Sequence, residues 1–482
     1  MVLIAGPVLA QPARSSQPTL GGAAPRPAAT GMPAGPPASA VTGARTIQEA
    51  LAATYLTDPM LLEERARLRA TDEGVPQALA GWRPTVIVSG NVGYQDGLAK
   101  FPNGKSELTA DMATAMATIT QPVYRGGRTQ AQTHQAENNV LAERARLIAQ
   151  EEQSFINTVN AYVGVIQNQQ ILQLNINNEQ VLRRQLQATN DRFRVGEITR
   201  TDVAQAEASL AGAIAQRETA AGNLATARAM YQRSVGALPP GNLVEPQPLG
   251  LPVRTEQQAV ALAAANNANV IANMFAESAA RDAIDVAYSA LMPTVNVVGQ
   301  SFFEKNPSTV QRHSQLNGYS VTAQLSVPLY QGGAEYSMVR QARQNEQLAR
   351  KALDDARRAA VQQAIQAWET LVAARATADS TRSQIVANQI ALEGVEREAI
   401  VGSRTTLDVL NQQQTLLNSQ VTLVQNLAQV VTASYTVAQA VGRLTARDLK
   451  LSVPLYDDTA YYNAVRNRLF GTGDYATGQP GR

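Results

Sequence analysis

The chain contains itself twice, and that duplication constrains its fold more than any other feature. VGEITRTDVA (195–204) and VGSRTTLDVL (401–410) share one grammar: Gly196 matches Gly402 and Asp202 matches Asp408, both 206 positions apart. The same offset joins QPVYRGG (121–127) to VPLYQGG (327–333), and Val235-Gly236 to Val441-Gly442. Nearer the N-terminus the offset becomes 209, pairing Pro84-Thr85-Val86 with Pro293-Thr294-Val295 and Thr46 with Thr255. The one length change therefore falls between Pro84 and Pro122. A repeat of this kind is a supersecondary unit whose copies share a core. Segments that keep their length read as rigid helices, and the variable stretch reads as a loop.

Between Arg128 and Arg194 only Gly164 interrupts a helical pattern, and from Ala334 to Val401 only Gly394 does. At ~1.5 Å per residue each helix is about 100 Å long. Val361, Ile365, Trp368 and Val372 step by four, three and four, the spacing of a coiled-coil seam. Their equivalents Phe155, Val159, Tyr162 and Ile166 predict that both copies use one seam. Gly196 and Gly402 stop the long helices, and Thr405 or Thr406 can cap the next one. A shorter helix follows each turn, over 201–235 and 407–441. Another opens each copy and ends at Trp82-Arg83-Pro84 in the first, because proline removes a donor and restricts its predecessor.

Between the opening helix and the long helix lie alternating runs. Tyr319, Val321, Ala323, Leu325 and Val327 alternate with Ser320, Thr322, Gln324 and Ser326. A period of two with one apolar and one polar face predicts a strand wet on one side. Val86, Val88, Gly90, Val92 and Tyr94 make the corresponding face in the first copy. Strands are expected near 84–95, 112–122, 293–303 and 318–328, each roughly the length of a tilted membrane strand. Lipid tolerates no open strand edge, and single-chain membrane barrels begin at about eight strands. Four strands cannot close, so spanning a membrane requires several chains to pool them. At the strand-to-helix joints stand Pro122, Tyr124, Gly126 and Gly127, then Pro328, Tyr330, Gly332 and Gly333. The glycine pairs suit a tight turn. The two tyrosines fit either an interfacial aromatic belt or packing at the joint.

The organisation that follows has five parts. Residues 1–44 are a Pro-, Ala- and Gly-rich lead-in without periodicity, expected to be flexible. Its start, MVLIAGPVLAQPA, resembles a signal peptide with Val8-Leu9-Ala10 at the cleavage site, though it lacks a basic leading region. The first repeat spans 45–237, a proline-rich linker 238–254 and the second repeat 255–444. A C-terminal tail, 445–482, carries Tyr456, Tyr461 and Tyr462 and receives no function from the sequence.

Composition narrows the chemistry. The absence of cysteine excludes disulfides, thiolate metal sites and a cysteine nucleophile. The two histidines, His134 in a long helix and His313 in a loop, fit no metal or triad spacing. No phosphate loop appears, so the chain reads as no enzyme, with no cofactor and no metal. A net charge of +2 from 41 basic and 39 acidic residues implies no nucleic-acid partner. Lys100, Lys105, Arg312 and His313 in the presumed outer loops read as solvated. A soluble coiled-coil scaffold would explain the helices but not four strands with aliphatic faces. The fold class is mainly α with membrane β, built as a duplicated helix-strand-strand-long helix-helix unit.

That order, with P-x-Y-x-G-G at both joints, RFRVGEITRTDVAQAE (192–207) and VGSRTTLDVL, resembles the TolC family of outer-membrane channel-tunnels over about residues 46–450. ITRTDVAQAEASLA looks most like the branch serving type I protein secretion, and the absent lipobox cysteine argues against the lipid-anchored efflux branch. The resemblance implies a homotrimer in outer-membrane lipid of a Gram-negative bacterium. A 12-stranded β-barrel would continue into an α-helical barrel in the periplasm. It also implies a periplasmic adaptor (membrane fusion) protein and an inner-membrane ABC or RND transporter as partners. Carried over by position, Arg404 matches the family's gating arginine, Asp202 its carboxylate partner, and Asp408 the first carboxylate of an entrance ring. Asn411 stands where a second ring carboxylate is expected, and Ala399 replaces a tyrosine of the constriction. Either these are gate residues, or Asp202 and Asp408 simply complement the positive N-termini of their helices. Cargo stays open between protein export and small-molecule efflux.

Overall fold

The computed structural model describes residues 44–107, 110–251, 253–306, 314–473 and 475. The signal-like start, the lead-in up to residue 43, Arg312, His313 and the last residues of the tail lie outside the described residues.

The first copy runs α1 (Ile47–Thr57), α2 (Pro59–Asp72), α3 (Gly74–Leu79), β1 (Thr85–Gln95), β2 (Leu98–Phe101), β3 (Gly104–Glu107), β4 (Ala110–Arg125), α4 (Arg128–Arg194) and α5 (Arg200–Val235). The second runs α6 (Glu256–Asn266), α7 (Ala268–Tyr288), β5 (Thr294–Lys305), β6 (Gln315–Ser326), α8 (Ala334–Ile400) and α9 (Thr406–Ala440), and a short α10 (Ala460–Val465) follows. The opening helix expected to be continuous is broken in both copies at one repeat position. Asp58 caps α2 through Met60 N–H with Pro59 at its first turn, and Asn267 caps α7 through Asn269 N–H. A cap residue in extended conformation ends one helix and starts the next. The break also divides the apolar stretch Glu256–Leu291, the one helical stretch among the described residues long and apolar enough to suggest a membrane span.

The strands form one antiparallel sheet in the order β1-β4-β5-β6, leaving β1 and β6 as edges. Within each copy the register is the same: Thr85 faces Thr120, and Thr294 faces Ser326. Both pairs obey the two offsets read from the sequence. Cross-strand pairs keep one aliphatic face: Val88 opposite Ala117, Ser301 opposite Tyr319, Gly299 opposite Val321 and Val295 opposite Leu325. Its side chains are bare in the single chain, Val88 at 77%, Val92 at 87% and Tyr319 at 86% exposure. The other face carries Ser89, Asn91, Thr118, Asn296, Gln300 and Thr322. β2 and β3 form a hairpin that the alternation did not show, being four residues each around a Pro-Asn turn.

Both long helices have 67 residues, but within the single chain they are not buried alike: of the seam expected in both copies, the second-copy members Val361 and Trp368 are half-buried and Ile365 and Val372 exposed. On α4, Phe155, Val159 and Tyr162 are fully buried. On α8 the buried row is Ala360, Ala364, Ala367, Leu371, Ala374 and Ala378, while Ile365 and Val372, one position along, are exposed. Packing explains the difference. α4 is covered by α5, α7, α9 and α2, whereas α8 is covered by α9, α7 and α6 only. Alanine rows allow helix axes to approach closely, and the larger aliphatic row looks outward.

The tail is a strap rather than a loose end. Leu444 and Ala446 are buried in the cluster of Leu51, Leu61, Leu68 and Phe155. Arg65, 1% exposed, lies between the rings of Tyr55 and Tyr456, its guanidinium 4.5 and 5.0 Å from their centroids. Further along, Tyr461 donates to Glu73 (2.8 Å), Arg466 pairs with Glu137 (2.8 Å), and the carbonyl of Arg468 accepts from Arg83 (2.8 Å). Arg144 pairs with Asp458 of the strap at 3.6 Å.

Beneath the strap, Asp72 is fully buried and neither of its carboxylate oxygens has a hydrogen-bond partner. Burial pushes its pKa up to about 7, against the opposing pull of Arg144. The folded state therefore holds a proton that the unfolded state has lost between the ordinary value of 3.8 and about 7, and stability falls as pH rises through that window. Asp72→Asn is expected to raise the melting temperature at about pH 8, by up to ~4 kcal/mol of stability, and to change little near pH 4. Equal effects at both pH values, read by thermal denaturation in detergent, would show that the carboxylate is not the source.

Candidate functional site: the two helix turns

At the end of the long helices away from the sheet, each chain presents two turns of one construction. α4 ends at Val195, and Gly196 takes φ 81°; α8 ends at Val401, and Gly402 also takes φ 81°. That left-handed region is open to glycine at no steric penalty. Glu197 N–H then reaches back to the carbonyl of Arg192, and Ser403 N–H to that of Glu398, each at 3.0 Å.

Three residues later the next helix is started by a capping box. Thr199 accepts from Asp202 N–H while Asp202 accepts from Thr199 N–H (3.0 Å) and its hydroxyl (2.7 Å). Thr405 and Asp408 repeat this at 3.0 and 2.9 Å. The Thr199 hydroxyl and backbone hydrogen bonds hold the Asp202 carboxyl below its usual range, and those from Thr405 do the same for Asp408. Both carboxylates are thus ionised at neutral pH and already serve their own helices.

Arg404 and Asp202 are not brought together within one chain. Among the described residues Arg404 pairs with Glu398 at 3.0 Å, across its own turn. The first turn has the reverse arrangement, with Arg192 at the helix end and Glu197 in the turn, Arg192 Nε standing 3.1 Å from Glu197. Repeat position 192/398 thus carries Arg in one copy and Glu in the other. Sequence reasoning missed Glu398. Its signal was this charge reversal at one repeat position.

Asn411 is exposed on α9, one residue past Leu410, which packs with Leu182 and Ala213 in a small cluster behind the turns. Around the turns, Val195, Ile400 and Val401 are bare, at 78%, 75% and 78% exposure. The tip therefore offers charged groups and aliphatic side chains to whatever lies beside it, on a backbone fixed by its caps.

At the opposite end, the joints carry their own geometry. Gly126 (φ 61°) and Gly127 (φ 82°) turn β4 into α4, and Gly332 (φ 74°) and Gly333 (φ 84°) precede α8. A Cβ on Gly126 would stand 2.5 Å from Met292 Cβ, so this position needs glycine for space as well as conformation. Pro122 sits at a bulge where the register with β5 slips between Pro122 and Tyr124, as a residue without a donor requires. Tyr124 is 46% exposed and Tyr330 79%, while Pro328 lies past the end of β6.

Residues 47–237 and 259–443, the two repeats, match the family described as outer membrane efflux protein. The outer membrane efflux protein BepC of Brucella suis is 35% identical over 430 residues, 88% of this chain and 91% of that protein. The alkaline protease secretion protein AprF of Pseudomonas aeruginosa is 25% identical over 369 residues, 72% of this chain and 73% of its own length. Among solved structures, the CmeC outer membrane channel of Campylobacter jejuni superposes with a TM-score of 0.73, at 13% identity, over 82% of this chain and 85% of that one. That likeness shows the fold, an α-helical barrel joined to a β-barrel. The chain therefore belongs to the outer membrane efflux protein family, the TolC-like channel-tunnels of the Gram-negative outer membrane, whose members are conduits and not enzymes.

Proposed function

We propose that this chain is the exit duct of a tripartite export machine. Copies of it close into a trimer, receive cargo from an inner-membrane ABC or RND transporter through a periplasmic adaptor, and release it outside the cell. The observation that carries this reading is one continuous path. A sheet with a bare aliphatic face and two unpaired edges runs through glycine joints into helices of 67 residues. Backbone groups at those edges would each cost several kcal/mol in hydrocarbon. Three copies supply 12 strands, enough for a closed barrel.

The cargo we assign is protein, by the type I route. The stretch ITRTDVAQAEASLA supports it, and so does the relative named for alkaline protease secretion. A second reading, small-molecule efflux, is favoured by the relative with the higher identity, which is named an efflux protein. A deletion strain compared with its parent and a complemented strain separates them. Loss of one or a few large proteins from the culture supernatant is expected. An unchanged supernatant together with increased drug susceptibility would move the assignment to efflux.

In this reading the turns are the entrance. Arg404, released from Glu398, is the residue that would reach the Asp202 of a neighbouring copy, and the Asp408 carboxylates line the opening. Arg404→Ala is expected to raise the single-channel conductance in planar bilayers severalfold, and an unchanged conductance would remove the latch. Asp408→Asn is expected to weaken block by polyvalent cations, since a ring of carboxylates in a narrow pore concentrates cations. Because Asp408 also caps α9, Thr405→Ala, which weakens the same cap and keeps the carboxylate, serves as the control for a lost cap. Equal loss of block in both variants would assign the effect to the caps.

A further inference from the structure

We infer that the end of the C-terminal strap is an interfacial membrane foot: Leu469 and Phe470 dip into the inner, phospholipid leaflet of the outer membrane at the rim of the sheet. The sheet enters that membrane as in the family. The strap gives each copy a second attachment to it, outside the strands.

The course of the strap leads there. Its contacts climb one face of α4 in steps of seven residues: Ala446 N–H on Glu151 (2.6 Å), Asp458 on Arg144 (3.6 Å) and Arg466 on Glu137 (2.8 Å). Seven residues are two turns, so each step carries the strap about 10 Å closer to the start of α4, where the sheet begins. The next hold is off the helix. Arg83 donates to the carbonyl of Arg468 at 2.8 Å, and Arg83 stands just before Pro84 and the first residue of β1. Trp82 is tied toward the end of β4, its carbonyl accepting from the Gln121 amide at 3.0 Å. The strap therefore arrives at the rim from which the aliphatic face of β1 departs, Val86 being 65% exposed.

The side chains it delivers are apolar and bare. Leu469 is 70% and Phe470 86% exposed, and Trp82, the chain neighbour of Arg83, is 46% exposed. Their backbone is pinned on both sides. The carbonyl of Arg468 is held by Arg83, and its guanidinium lies 3.5 Å from the centroid of the Tyr475 ring. Gly471 takes φ 112°, where a side chain would be strained, and a Cβ there would stand 3.0 Å from the Tyr475 hydroxyl. Leu469 and Phe470 thus sit on a fixed bend. A bare Leu or Phe is ordinary on a protein surface; a Leu-Phe pair on a pinned bend beside a lipid-facing strand has lipid within reach.

Charge fits the same boundary. Arg83 and Arg468 meet there, and Arg125 lies against Gly81, where a Cβ would stand 2.7 Å from its guanidinium. Among the described residues none of these three arginines forms an ion pair. Phospholipid headgroups supply phosphates, and long basic side chains keep their charge at that level while their stems and neighbours lie deeper. Tyr124 and Tyr330, 46% and 79% exposed at the same end of the sheet, suit a headgroup boundary as amphipathic rings.

The chain has no cysteine, so Phe470→Cys in the full-length protein carries a single nitroxide label. In liposomes of zwitterionic and anionic phospholipid, its collisions are measured with oxygen, which concentrates in hydrocarbon, and with a water-soluble nickel chelate. Val92→Cys on the aliphatic face and Lys100→Cys in the β2–β3 hairpin supply the lipid and water references. Leu469→Cys, which keeps the ring of Phe470, is read in the same way. At both sites nickel access is expected to fall severalfold below that at Lys100, with oxygen access close to that at Val92. Lipid-like access at one site alone would keep the foot and narrow it to that residue. Nickel access equal to that at Lys100 at both sites would put the bend in water and overturn the inference. Low access to both reagents would mean a protein cover, such as a second copy, and would overturn it equally. Arg83→Ala is expected to raise nickel access at 470 severalfold as the bend loses its hold, and no rise would remove Arg83 from the anchorage.

Discussion

The unpaired backbone of β1 and β6 is the constraint on which the rest of this molecule depends. Hydrocarbon offers those N–H and C=O groups no partner, so a four-stranded sheet with a lipid-compatible face has no stable existence alone. Every other feature is compatible with that incompleteness. The helices that leave the sheet are long, and the first-copy member buries more of its large apolar side chains than the second-copy member does. A chain that ended its own interactions would bury Ile365 and Val372 as thoroughly as it buries Phe155 and Val159. This one leaves them exposed, on the copy whose strand β6 is also an open edge.

The helical wall shows how a chain poor in aromatics holds such helices together. With aromatics at 5%, there is no thick core. Contacts are made instead by alanine rows and by short hydroxyls. Thr158 joins Thr54 on α1 at 2.9 Å and Ser234 on α5 at 2.8 Å, tying three helices at one buried point. Carboxylates inside the wall are held by arginines one turn away, as Glu277 is by Arg281 (2.6 Å), with Arg350 on α8 also within 3.9 Å of Glu277. Small side chains let helix axes approach, and polar pairs such as these satisfy one another where water is excluded. Such a wall is thin, and both its faces can stay wet.

Much of this could be read before the structure was seen. Strand alternation, the glycine stops and the two offsets each left a local mark, and the register of Thr85 with Thr120 repeats as Thr294 with Ser326. What escaped had weaker or non-local marks. The α8 seam was placed one residue away because alanine carries little hydrophobic signal, and the larger Val361, Ile365 and Val372 drew the pattern to the outward row. The strap was invisible because its hold on the helices, Arg65 between two tyrosines and Tyr461 on Glu73, joins residues nearly 400 positions apart. The partner of Arg404 was missed for a simpler reason. Glu398 lies six residues back, across a turn, where helical spacing rules do not apply.

The turns themselves limit what kind of gate can be built on them. Each is fixed by a left-handed glycine and a reciprocal capping box, so opening by melting a turn would break several hydrogen bonds in every copy. Rigid turns must instead move as bodies, carried by the helices behind them. The charges available to hold them are exposed, and an exposed ion pair such as Arg404 with Glu398 contributes only ~0.2–1 kcal/mol. One such pair exchanged for another between copies changes the balance by a fraction of that. Closure would then rest on the threefold repetition of weak contacts, together with the bare Val195, Ile400 and Val401 packing across the axis. Under the proposed function, contacts of that strength would be readily displaced by a protein docking on the same helices.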